Sequence, residues 1–115
     1  MGVIQKTSID AYQLLQRKGR LSRIEANALR LIGEQPGHTS REYTQLYFER
    51  YPYDKALATT IQPRISDLHK KGYVAPVGTE PFGTKKCTVT GVQASAWGIP
   101  KQIQLELEGM KNDGA

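Results

Sequence analysis

Two four-residue stretches of this chain dictate where helices begin. Ser22-Arg23-Ile24-Glu25 and Thr39-Ser40-Arg41-Glu42 each place a hydroxyl three residues ahead of a glutamate. In that spacing the hydroxyl accepts from the glutamate's amide, and the carboxylate reaches back to the hydroxyl residue's own amide. Two of the amides that a helix start leaves unpaired are then satisfied together. The helix after the first box carries Ile24, Ala28, Leu31 and Ile32 on one face and stops near Gly33, ahead of Pro36-Gly37. The helix after the second carries Tyr43, Leu46 and Tyr47, with Arg50 near its end, before Tyr51-Pro52-Tyr53 breaks the period.

A shorter helix precedes them. Thr7 or Ser8 is its expected cap, Ile9, Tyr12 and Leu15 recur at helical spacing, and Lys18-Gly19 ends it. A fourth helix is expected between about Thr59 and Lys71, because Ile61, Ile65 and Leu68 form one apolar stripe and Gly72 follows as a stop. Pro63 suits a first turn and disfavours helical angles at Gln62, so the regular helix is expected to start at Pro63, after a leading turn over Thr59 to Gln62.

After Gly72 the pattern changes. Tyr73-Val74-Ala75-Pro76-Val77 and Lys86-Cys87-Thr88-Val89-Thr90 flank the loop 78–85 and read as a β-hairpin, with Pro76 at an edge. Trp97 and Ile99 follow, and Pro100 ends the compact part. In the tail 100–115, Ile103, Leu105 and Leu107 alternate with polar residues, which favours strand, while its glutamates and leucines favour helix. The expectation is therefore an α+β, mostly α, single domain over 7–99 with a tail of open structure.

Composition narrows function. The chain has 115 residues, a net charge of +5 and a pI of about 9.4, which suit an anionic partner. The tail is slightly acidic, so the basic excess belongs to the body. Cys87 is the one cysteine, and His38 and His69 have no companion at metal-ligand spacing, so no disulfide within the chain, metal or cofactor is expected. The opening MGVIQKTSID has no apolar signal stretch, and no run approaches the ~20 apolar residues of a membrane span. A cytoplasmic protein without membrane attachment is expected. No phosphate loop, serine elbow or metal motif marks an enzyme.

The order helix, helix, helix, hairpin, with a shorter helix in front, resembles the winged helix-turn-helix family, and within it the small winged-helix proteins of phages and prophages. The resemblance spans roughly residues 7 to 99. It is carried by Ile61-Gln62-Pro63-Arg64-Ile65-Ser66-Asp67-Leu68-His69-Lys70-Lys71-Gly72-Tyr73-Val74, similar to a recognition helix turning into the first wing strand, and by Thr90-Gly91 through Trp97. It implies a DNA-binding regulator that is not an enzyme.

A recognition helix enters the major groove with its N-terminal residues against base edges. On that reading Thr59, Thr60, Gln62 and Arg64 contact DNA, Gln62 as an adenine reader and Arg64 on guanine or phosphate. Ser66 and Lys70 lie away from the apolar stripe and face DNA as well. Arg41, Lys85 and Lys86 suit the phosphate backbone. Each has a plainer role. Arg64 pairs with Asp67, Thr59 and Thr60 cap a helix, Gln62 is a solvated turn residue, Lys70 and Lys71 answer a helix dipole, and Lys85-Lys86 is a short solvated charge run. Tyr43, Tyr47 and Trp97 read as core, His38 and His69 as surface or cap residues, and Cys87 as a buried strand residue.

Double-stranded DNA is thus the expected partner. The rival is a winged-helix module that binds a second copy of the chain or another protein and never touches DNA. The connection from Arg50 to Thr59, longer than the usual turn, and a wing holding Glu80 and Pro81 but no arginine favour the rival.

Overall fold

Both capping boxes close. The Glu25 amide donates to Ser22 Oγ at 3.2 Å and the Ser22 amide to Glu25 Oε1 at 2.8 Å. The Glu42 amide donates to Thr39 Oγ1 at 3.3 Å and the Thr39 amide to Glu42 Oε1 at 3.0 Å. A computed structural model describes residues 11–78 and 83–113, with the side chains of the last helix described through residue 109. Among these residues the order is α1 (Ala11–Arg17), α2 (Arg23–Glu34), α3 (Ser40–Arg50), α4 (Ala58–Lys70), β1 (Ala75–Pro76), β2 (Thr84–Lys86), β3 (Gln93–Ser95), β4 (Trp97–Gly98) and α5 (Lys101–Asp113). The architecture is α+β and mostly helical, with small two-stranded antiparallel pairings. The expected caps Thr7 and Ser8, with Ile9, lie outside the described residues, as do Glu80 and Pro81.

The core forms where α2, α3 and α4 meet, with α1 against α2. Leu29, Ile32, Tyr47, Ile61, Ile65 and Leu68 are all fully buried there. Ile61, Ile65 and Leu68 face inward as their spacing requires. Gly72 ends the helix at φ 87°, a left-handed angle that glycine adopts without a Cβ penalty.

The start of α4 differs from expectation. The helix begins at Ala58, behind a Leu57 cap that makes no side-chain hydrogen bond, and runs through Pro63. Thr59 and Thr60 sit inside its first turn and cap nothing. The proline removes one helical donor, that to the Thr59 carbonyl. Pro63 lies on the exposed side of the helix, while buried Ile61 and Ile65 hold the turns on either side.

The strands also pair differently from the expected hairpin. β1 pairs with β4 (Ala75 opposite Gly98, Pro76 opposite Trp97), and β2 pairs with β3 (Thr84 opposite Ser95, Lys86 opposite Gln93). Between the two ladders, Ala96 accepts from the Val77 amide at 2.7 Å and donates to the Gly83 carbonyl at 3.1 Å. The run 93–98 is therefore one spine that β1 and β2 flank end to end. The chain leaves this ladder at Gly78 and rejoins it at Gly83, where the Gly78 amide donates to Gly83 O at 2.8 Å. A Cβ on Gly83 would stand 2.6 Å from the Pro76 Cβ, so only glycine fits that return. The hairpin turn lies at 88–91, with Cys87 and Val92 joined at its base. Cys87 is buried, but just outside a strand. On the spine's other edge the Trp97 amide donates to His38 O at 2.9 Å, tying the residues ahead of α3 to β4.

The tail is helical, contrary to the strand that its alternation favours. Ile103 and Leu107 are also i and i+4, and they face the body, with Leu107 in the core and Leu105 left 61% exposed. The Ile103 and Gln104 amides both donate to the Pro100 carbonyl, which starts the helix against α1.

This packing sets an expected contrast. Leu68→Ala should lower unfolding free energy by about 2–5 kcal/mol, and Leu105→Ala by less than ~0.5 kcal/mol, both measured by urea denaturation.

Candidate nucleic-acid interface

The outward face of α4 is a stripe. Thr59, Pro63, Ser66 and Lys70 stand at i, i+4, i+7 and i+11, and all four are exposed. Gln62 is half-buried on one flank of this stripe. Arg64 and Thr60 lie on the other flank, also half-buried.

Gln62 and Arg41 share a cleft of ≈ 260 Å³. The capping end of α3 (Thr39, Ser40, Arg41) forms one wall, and Ala94, Ser95 and Trp97 of the spine form another. Trp97 is the joint of this region. Its indole Nε1–H donates to Ser40 Oγ at 2.9 Å, and its ring lies 4.9 Å from that of His69 on α4. Trp97 is thus a packing residue, as are the buried Tyr43 and Tyr47, whose phenols burial pushes up to about 12.

Two expected DNA-facing cations are engaged within the chain. Arg64 Nη2 lies 3.0 Å from Asp67 Oδ2, one turn on, and Arg64 Nε is shut off from solvent without a hydrogen-bond partner. Lys85 Nζ lies 3.0 Å from Glu42 Oε1. Lys71 is likewise held, by Glu25 and the Arg20 carbonyl. Arg41, Lys70 and Lys86 are exposed. The nine candidates therefore divide. Arg41 and Gln62 come together at the cleft, Thr59, Ser66 and Lys70 line the stripe, and Lys86 stands on the hairpin. Thr60 and Arg64 turn to the far flank, and Lys85 faces inward.

Glu42 fastens the hairpin to this surface. Beyond its capping bond, Oε1 takes Lys85 and lies 3.3 Å from His38 Nδ1. Oε2 accepts from both the amide and the hydroxyl of Thr88, each at 2.7 Å. Burial alone would raise the Glu42 carboxyl. The hydrogen bonds from Thr88, Thr39 and Lys85 outweigh it and hold the group far below the ordinary carboxylate range. The capping box makes this glutamate visible in the sequence, but its partners 43 and 46 residues away are not.

Asp54 is a second anchor that local patterns do not reveal. It accepts from Arg23 (2.9 Å), the Tyr47 hydroxyl (2.8 Å) and the Ala56 amide (2.8 Å). The long connection between α3 and α4 is thereby pinned to the start of α2. Only the Ala56 bond, a turn aspartate two residues ahead of an amide, has a local signature.

Among the described residues, no group of three or more His, Cys, Asp and Glu could hold a metal ion, and no helix is long and apolar enough to cross a membrane. No family model, curated protein or solved structure matches the chain.

The Glu42 geometry predicts a pH effect of definite sign. A carboxyl held below its ordinary value of 4.5 stabilises fully above that pH, and the contribution drains away as pH falls below it. Glu42→Gln should cost about 2 kcal/mol at neutral pH. Its disadvantage should shrink steadily as the buffer is taken from pH ~5 to ~2, followed through the emission of the single tryptophan. A constant difference across that range would mean that the carboxylate's charge is not what holds the hairpin.

Proposed function

We propose that the protein is a non-enzymatic, winged helix-turn-helix binder of double-stranded DNA, with α4 as the helix that enters the major groove. The order α2, a β-bridge at His38, α3, α4, β1, the β2–β3 hairpin and β4 is compatible with that fold, with α1 added in front. The observation that carries the reading is the exposed stripe Thr59, Pro63, Ser66 and Lys70, opposite the buried Ile61, Ile65 and Leu68. The helix is anchored on one side and open on the other, with polar and small side chains rather than an apolar seam. Arg41 at the head of α3, which shares a cleft with Gln62, and the exposed Lys86 of the hairpin serve as phosphate contacts, while Gln62 and Thr59 supply the base-edge chemistry. A phage or prophage regulator is the biological setting that the sequence resemblance suggests.

A second reading, docking of another protein, has its own support. Tyr53 and Leu57, in the connection between α3 and α4, are 95% and 69% exposed. Apolar side chains so placed suit a protein surface better than a phosphate backbone.

Salt dependence separates the two. With Arg64 and Lys85 engaged internally, Arg41, Lys70 and Lys86 leave about three phosphates to neutralise, so log K for random duplex should fall with log salt at a slope of about −3. Arg41→Ala and Lys86→Ala should each lower the slope by about one unit and weaken all sequences alike. Binding that is absent at low salt, or flat across salt, would refute the DNA reading and favour protein docking.

A further inference from the structure

Granted the DNA-binding reading above, we infer that the outward face of α4 selects duplex containing A·T pairs, through thymine methyl groups and the adenine major-groove edge, and does not read guanine. The chemistry of the stripe is one-sided. At its leading end Thr59 presents a methyl and Pro63 an apolar ring, both exposed and one turn apart. In the major groove, such groups match the thymine 5-methyl. Gln62, between them in sequence and at the cleft edge, carries the amide that pairs bidentately with adenine N6 and N7. Adenine and thymine readers thus sit side by side, within the helix turn that meets base edges first.

Arginine and lysine are the commonest guanine readers, and α4 presents neither of them free at its leading end. Its single arginine, Arg64, sits on the far flank, spends Nη2 on Asp67, and has its Nε closed to solvent. The bidentate Nε/Nη edge that would meet guanine O6 and N7 is therefore not presented. Lys70 lies at the trailing end of the helix, away from the groove floor. Arg41 belongs to α3, the helix that crosses the phosphate backbone in this arrangement. Serine at position 66 accepts either base type and does not alter the balance.

The test uses the full chain in three arms. First, binding to random duplex at low salt establishes the DNA reading; its absence sinks that reading and this inference together. Second, sequences selected from a random duplex pool should centre on consecutive A·T pairs. In the selected duplex, replacing a contacted thymine by deoxyuridine, which removes only the methyl, should weaken binding about fourfold. Third, replacing the contacted adenine by 7-deazaadenine should weaken the wild type about tenfold. Gln62→Ala, shown to be folded by its tryptophan emission, should be insensitive to that change yet keep its response to deoxyuridine. Salt-dependent binding with guanine enriched in the selected core, or with no response to loss of the thymine methyl, overturns the inference and leaves the DNA reading standing.

Discussion

The Glu42 carboxylate is the constraint on which the shape of this molecule turns. It is 5% exposed and sits at the first turn of α3, where it closes a capping box and receives Lys85 and Thr88 from the hairpin. A buried carboxylate without partners would be costly, so burial and pairing here require each other. Because both oxygens are committed to the hairpin as well as to the helix start, the hairpin cannot swing away without stranding a charge. The short ladders of β1–β4 and β2–β3 offer few backbone bonds of their own, and this carboxylate supplies what they lack.

The same economy governs the basic surface. The chain carries sixteen lysines and arginines, yet several serve internal needs. Lys71 joins the end of α4 to the first turn of α2, Lys85 joins the hairpin to α3, and Arg23 holds the connection through Asp54. Each links a helix terminus, capping carboxylate or turn to an element far off in sequence. Net charge therefore overstates what is offered to a partner. The proposed binding face is sparsely charged and mainly hydroxyl, amide and apolar in character, which shifts the balance from nonspecific phosphate attraction toward contact with base edges.

The parts legible in the sequence were those decided by neighbours along the chain. The two capping boxes, the Ile61/Ile65/Leu68 stripe and the Gly72 stop each depend on residues within a few positions, and each formed. The strand pairings did not follow from local pattern, because β1 finds its partner at Trp97–Gly98 across a hairpin that interrupts the ladder. The tail satisfied two periods at once. Ile103, Leu105 and Leu107 alternate as a strand would, but two of the three are also i, i+4, and docking on α1 chose the helix. For the candidate site, residue types and their helix were readable. The pairing of Arg64 with Asp67 was also open to view, three residues along one helix, whereas the capture of Lys85 by Glu42 was not, because 43 residues separate the two.

Pro63 has a consequence for how this protein can change over time. Its missing amide interrupts the hydrogen-bond ladder of α4 just after the first turn. Upstream of the gap the turn carrying Thr59 and Gln62 is tied down chiefly by Ile61. Downstream, Ile65 and Leu68 hold the rest of the helix in the core. The leading turn is in effect a replaceable tip on a fixed shaft. Exposed positions on that tip can be exchanged with little disturbance of the packing behind them, so the surface chemistry presented there is free to drift faster than the scaffold that carries it.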